Sequence, residues 1–264
     1  MSDRLYKVTG IILKSKPCGE ADRLAYVLTR ERGLLRAIAP RARKHKSTLC
    51  GRCEAFTIGE FLMVRRRSLD RISQIELHQT HTAIGGDLSK LAAAQYWAEI
   101  VLNLTDEAPG QEGLYELFRE HLQRLEALPA NEVTAWLAHL CQGSYHFLAV
   151  GGVAPQVNHC CVTQQAIAGN FDPAVWKVGF SLQAGGVVAK LLQPPAPAEA
   201  IAYPHVRARL NPEQLGCFQQ LPAPTLSNFA DNLDTWKTIE QLLRAYSQRQ
   251  FGRAIRSAAL IDTV

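Results

Sequence analysis

Between Leu5 and His78 the apolar residues come in short runs broken by turn residues, and no run keeps a helical spacing. Five of them read as strands: 5–14, 23–29, 34–39, 55–64 and 71–78. In the second, Leu24, Tyr26 and Leu28 alternate with Arg23, Ala25 and Val27, the period of a strand. Pro17-Cys18-Gly19, Arg32-Gly33 and Cys50-Gly51 supply the turns. Five short strands with one long connection predict a small closed barrel of the oligonucleotide-binding (OB) type, which also removes the exposed edges of a small sheet.

After Gly85-Gly86 the period changes. Asp87 is placed to cap a helix through Leu104, with Leu91, Ala94, Trp97, Val101 and Leu104 on one side. A second helix is expected over 112–128. A third follows Asn131, with Val133, Trp136, Leu137, Leu140, Cys141, Ser144, Phe147 and Leu148 as its buried stripe and Gly151-Gly152 as its stop. Residues 153–192 read as an irregular insert, and Gln193-Pro194-Pro195-Ala196-Pro197 as a stiff connection. A short helix is expected over 212–221. A longer one starts at Asn228 or Asp231 and carries Leu233, Trp236, Ile239, Leu242, Leu243 and Tyr246 inward. Continued, it would set Arg249, Arg253 and Arg256 on one face. The expected class is α+β: an OB-type barrel over 1–80, then an all-helical bundle over 81–264 interrupted by the insert.

Composition sharpens this little: 47% apolar and 20% charged residues in 264 describe an ordinary folded chain long enough for two domains. No stretch has the length or apolarity of a membrane span, and no signal segment is visible, so a cytoplasmic protein without membrane partners is expected. Seven cysteines without regular spacing suit reduced thiols. Charge is more telling. Residues 1–80 hold 17 Lys/Arg against 8 Asp/Glu, while the remainder is mildly acidic. The first module therefore suits a polyanion.

That surplus centres on the loop Arg41-Ala42-Arg43-Lys44-His45-Lys46-Ser47 between the third and fourth strands. Its cations cannot be buried unpaired, so the loop is either a solvated run or faces an anion. Arg65, Arg66 and Arg67 follow the fourth strand, and Lys14, Lys16, Arg23 and Arg36 lie on the others. Together they make a candidate phosphate-binding surface. About six contacts to a single strand would give log affinity a slope of roughly −4 in log salt. Tyr6, Tyr26, Phe56 and Phe61 are either stacking platforms or core.

Catalytic signatures are missing: there is no phosphate loop, His-Glu-x-x-His or Gly-x-Ser-x-Gly, and no cofactor is expected. Cys50-Gly51-Arg52-Cys53 is one Cys-x-x-Cys pair, and His159-Cys160-Cys161 a compact cluster. Neither completes the usual four-ligand zinc set, so no metal is expected. An RNA-binding barrel protein, a metal-dependent enzyme built on His159, Cys160 and Cys161, and an interaction scaffold with solvated cations are the rival readings.

Thr9-Gly10-Ile11-Ile12-Leu13, Gly19-Glu20-Ala21-Asp22-Arg23, Thr29-Arg30-Glu31-Arg32-Gly33-Leu34 and the basic loop ending in Ser47 resemble the N-terminal domain of the bacterial recombination mediator family RecO. Gly151-Gly152-Val153-Ala154-Pro155, Leu242-Leu243-Arg244-Ala245-Tyr246 and 253–257 resemble its helical domain. The resemblance implies a nucleoid-associated protein that binds single- and double-stranded DNA and anneals complementary strands. It also implies help in loading recombinase onto strands coated by single-stranded-DNA-binding protein. The implied partners are RecR and the acidic, hydrophobic tail of that coating protein, for which Arg244, Arg249, Arg253 and Arg256 are candidates. Many members carry a zinc module after the Gly-x-x-Pro segment. Here Cys160 matches its first ligand, but Thr163, Ala189 and Leu192 stand at the other three places, so a metal-free insert is expected.

Overall fold

The computed structural model describes residues 5–105, 111–129, 132–192, 203–226 and 231–264. Asp106-Glu107, Asn131, the 193–197 connection and Asn228 lie outside the described residues. By compactness the chain divides into Met1–Ala127 with Arg256–Val264, and Leu128–Ile255.

In the first unit, β1 (Leu5–Cys18), β2 (Asp22–Thr29), β3 (Gly33–Ala39), β4 (Thr57–Val64) and β5 (Asp70–Thr80) close in the order β1-β2-β3-β5-β4. The expected OB-type barrel is present. Every ladder is antiparallel except β3/β5, which pairs Ala37 with Asp70 and Ile38 with Arg71. Five strands enclose a narrow lumen, so alanines at Ala25, Ala37 and Ala39 make room for Phe61 and Met63. The alternation in β2 thus resolves with Ala25 and Val27 inward and the larger Leu24 and Tyr26 outward. Gly59 is required by close approach, since a Cβ there would lie 2.2 Å from the Glu76 carbonyl oxygen.

One irregularity in β1 decides what its second half displays. The register with β2 shifts between Ile12, opposite Val27, and Lys14, opposite Tyr26. The extra residue reverses the inward–outward parity. Ile12 belongs to the lumen, yet Lys14 two residues on is exposed, as is Lys16.

The outward side of the barrel around Ile11, Leu28 and Ile58 is buried. The short α1 (Thr82–Gly85) leads to α2 (Leu88–Leu104), where the Asp87 carboxylate accepts from the Ser89 and Lys90 N–H groups at 2.9 and 3.1 Å. α3 (Glu112–Ala127) follows, and both longer helices pack on β1. Phe118 of α3 stacks on Phe56, with ring centroids 6.4 Å apart. Fully burying such a ring contributes about 1.5–3 kcal/mol.

The second unit contains α4 (Val133–Val150), β6 (Trp176–Ser181), β7 (Gly186–Leu191), β8 (Ala208–Arg209), α5 (Pro212–Gln220) and α6 (Leu233–Phe251). The 153–192 insert is irregular through 175, but its remainder is ordered: with β8, β6 and β7 form an antiparallel sheet in the order β7-β6-β8. Six-residue runs containing or abutting glycine give little period-2 signal. Packing supplies what the local pattern lacks. Phe180 of β6 meets Phe218 of α5 and Tyr246 of α6 at 5.4 and 6.0 Å. α4 begins after Glu132 without a side-chain cap.

α6 starts at Leu233, later than expected, because Asn232 caps it by accepting from the Asp234 and Thr235 N–H groups. Its inward set of Trp236, Ile239, Leu242, Leu243 and Tyr246 is buried as its spacing predicts. It does not continue to Arg253 and Arg256. Gly252 takes φ 63°, the left-handed conformation that ends helices. Beyond it α7 (Ala258–Ile261) packs with α2 in the first unit.

Candidate nucleic-acid interface

The bulge in β1 builds the site. Past it, cross-strand partners on the outside of the barrel run Lys14–Tyr26–Arg36 in one row and Lys16–Leu24–Ile38–Arg71 in the next. Neighbouring strands lie about 4.8 Å apart and the two rows about 6.6 Å, so these cations share one face. The Lys16 ammonium lies 5.7 Å from the centre of the Tyr26 ring, and Tyr26 keeps part of its surface open. A cation beside an accessible aromatic ring offers both a phosphate contact and a stacking surface.

A separate group of cations closes over Tyr6, which packs against the lumen. At the start of β3 Arg32 and Arg65 lie 4.4 and 5.6 Å from the centre of the Tyr6 ring. The Tyr6 hydroxyl donates to Asp70, and Asp70 accepts the Arg66 N–H at 3.0 Å, which folds the β4–β5 turn back on itself. Burial, then that hydrogen bond, push the Tyr6 phenol well above its ordinary value. The turn carrying Arg65, Arg66 and Arg67 is therefore held rather than free to wave. The basic loop stands at the other end of β3, about 20 Å away for seven residues of strand.

That loop is fixed from beneath. Ala42, Leu49 and Cys53 drop into the end of the lumen as a plug. Asp22 accepts the Arg41 N–H at 2.8 Å, and the Ala21 carbonyl accepts the Arg43 N–H at 2.9 Å. Arg43 spends its guanidinium on the Gly19 and Glu20 carbonyls. Arg41 adopts φ 54°, a conformation that L residues reach only when neighbours hold them there. Among the described residues, Arg41, Lys44, Lys46, Arg66 and Arg67 form no ion pair. Three unpaired permanent charges, Arg41, Lys44 and Lys46, are thus presented on a tethered segment whose ordering cost is already met by the fold.

Two sequence expectations change here. Arg23 does not widen the surface. It turns into the barrel mouth, where Nε donates to Ser15 Oγ at 2.6 Å and an amino group reaches Glu54 at 3.2 Å. Its charge is answered from within the protein. Arg249, Arg253 and Arg256 do not share a helical face either, because α6 stops at Phe251. Arg244 is held bidentately by the buried Glu240 at 2.8 and 3.0 Å, and Arg256 belongs to the first unit. Of the four aromatics, Phe61 is lumen, Tyr6 packs against the lumen opposite Met63 and Phe56 lies beneath α3, leaving Tyr26 outward. Arg71 joins the face although its local sequence marks it only as a strand cation. The parallel β3/β5 pairing that recruits Arg71 leaves no local trace.

The cysteine clusters fit no zinc centre. Burial pushes the Cys53 thiol up to about 12, against the pull of Arg23, as expected of a plug side chain. Cys160 is buried and accepts N–H groups of Val162, Thr163 and Ala189 at 3.3–3.4 Å. These bonds outweigh its burial and hold the thiol below its usual value. The turn survives, but Thr163, Ala189 and Leu192 bring no soft ligand to complete it. Among the described residues no three His, Cys, Asp or Glu side chains are placed to hold a metal ion, and no helix is long and apolar enough to cross a membrane.

The first unit is thus an OB-type barrel with exposed cations on its outer face, and the second is mainly helical. Residues 1–81 match the family described as recombination protein O N terminal, and 85–259 its C-terminal counterpart. The chain is 42% identical to the DNA repair protein RecO of Nostoc sp. (strain PCC 7120), over 99% of this chain and 96% of that protein. It is 40% identical to that of Synechocystis sp. (strain PCC 6803), over 99% and 97%. The chain belongs to the RecO family, whose role is in recombinational DNA repair.

Proposed function

We propose that this protein is a non-catalytic recombination mediator that binds single- and double-stranded DNA along the barrel face and anneals complementary strands. The observation that carries the reading is the pair of outward rows, Lys14–Tyr26–Arg36 and Lys16–Leu24–Ile38–Arg71, with the tethered loop at the end of β3. Annealing needs two polyanions held near each other with charge screened and bases accessible, and a face that contacts phosphates and stacks loosely meets that need without bond chemistry. Family membership supports a further role in loading recombinase onto strands coated by single-stranded-DNA-binding protein, with RecR and the acidic tail of the coating protein as partners. Nucleoid association follows from DNA binding.

The test is reversal of Arg41, Arg43, Lys44 and Lys46 to Glu, with circular dichroism as the check on folding. Affinity for a labelled single-stranded DNA oligonucleotide should fall by at least tenfold, and annealing of complementary strands with it. Unchanged affinity would place the interface elsewhere. A clear preference for RNA in competition would favour a role in RNA processing instead.

A further inference from the structure

On the second unit, far in sequence from the barrel, one sheet face breaks a rule of strand pairing. Lys177 of β6 and Lys190 of β7 are direct cross-strand partners on the antiparallel ladder. Like charges placed directly opposite destabilise a sheet. The next pair along, Gly179 and Val188, lies on the same face, and Arg209 of β8 pairs with Gly179 from the other side. Three cations therefore converge on two adjoining rows of the sheet. All three are exposed, and among the described residues none forms an ion pair.

They rim a groove of about 220 Å³. Its floor is Gly179, Val188 and Val206, and its wall is Tyr203, over which the Lys190 ammonium sits 5.5 Å from the ring centre. Gly179 is what lets Val206 settle there, since a Cβ would come within 2.4 Å of a Val206 methyl. The combination repeats that of the barrel face: a lysine beside a tyrosine ring, cations on adjoining strands, and an apolar strip between them. A local conflict that the fold keeps without an internal counter-charge marks a functional site.

We infer that this face is a second binding site for single-stranded nucleic acid, with Lys177, Lys190 and Arg209 on phosphates and Tyr203 as a stacking surface. Charge complementarity and the ring favour a polynucleotide over an acidic peptide, which would leave the aromatic wall without a role. The inference rests on the nucleic-acid reading of the barrel. It adds a second strand-holding surface, which a protein that brings two strands together can use.

The experiment uses the full chain and an eight-nucleotide labelled oligothymidine, with binding read by anisotropy across a salt series. Substituting Lys177→Gln with Lys190→Gln should lower affinity several-fold and flatten the log–log salt slope by about 1.4, the share of two phosphate contacts. The melting temperature should stay level or rise, because a like-charge pair has been removed. In the background of the four-Glu loop variant, the residual binding should disappear with the same two substitutions. The charge-preserving pair Lys177→Arg and Lys190→Arg should keep affinity near that of the unsubstituted protein. Unchanged affinity and slope in the glutamine variant would overturn the inference, as would loss of binding in the arginine variant. So would a Lys177- and Lys190-dependent affinity for an acidic peptide with an apolar end, with oligonucleotide binding intact. Failure of the loop variant to weaken binding would count against the barrel reading alone.

Discussion

Ser257 closes onto Glu99 across 158 positions of sequence: its hydroxyl donates to Oε2 at 2.7 Å and its backbone N–H at 2.8 Å. Arg256 adds its own N–H to Oε1 at 2.9 Å. One carboxylate on α2 thus anchors the C-terminal segment to the first unit. Burial alone would raise the Glu99 carboxyl, but these donors, with Lys14 nearby, outweigh it and hold the group below the ordinary carboxylate range. A carboxyl lowered on folding stabilises the protein above its unfolded value, near 4.3, and the contribution fades as pH falls through the folded value. Glu99→Gln should cost about 1–3 kcal/mol at neutral pH. Urea denaturation should show that gap closing as pH is lowered through the carboxylate range, whereas a gap constant with pH would contradict the anchoring role.

Arg23 and Lys16 separate stability from binding. Arg23 is used inside the barrel mouth by Ser15 and Glu54, while Lys16 stands outside beside Tyr26. Arg23→Ala should lower stability by roughly 1 kcal/mol with DNA affinity little changed. Lys16→Ala should leave stability within about 0.5 kcal/mol and flatten the salt dependence of binding by about 0.7. Paired melting and salt-titration measurements check both, and the reverse assignment would invert the face.

The plug under the basic loop gives a second separation. Leu49 is buried beside Ala42 and Cys53, so Leu49→Ala should cost about 2–4 kcal/mol in denaturant unfolding. Cys53, with its thiol pushed up to about 12 by burial, should resist iodoacetamide near neutral pH in the folded protein and react freely once unfolded. Peptide mapping after alkylation reads this directly, and rapid native labelling at Cys53 would mean that the plug opens.

Gly252 ends α6 at φ 63°. Gly252→Ala should destabilise by about 1 kcal/mol, and Gly252→Asn by less, since Asn tolerates the left-handed region better. Equal melting temperatures for all three proteins would show that the turn is not fixed there.

How much of this was legible in the chain follows the range of the forces involved. Alternation and turn residues placed five strands correctly because each face of a strand meets one environment. The stripe of α6 from Trp236 to Tyr246 was legible for the same reason. The β6-β7-β8 sheet was not, because Phe180 is held by Phe218 and Tyr246, residues 38 and 66 positions away that local spacing does not pair with it. Nor was the end of α6, where a single Gly252 outweighed the spacing of Arg249, Arg253 and Arg256.

By itself the sequence determined a β-rich, strongly basic first module and a mainly helical remainder. It did so because period, turn chemistry and charge surplus are properties of neighbouring residues. Only the tertiary structure decided which cations face outward together. A one-residue bulge after Ile12 sets the direction of Lys14 and Lys16, and the parallel β3/β5 pairing brings in Arg71. An internal carboxylate withdraws Arg23. Those outcomes depend on register and on contacts between distant segments, which a linear pattern of residue types does not encode.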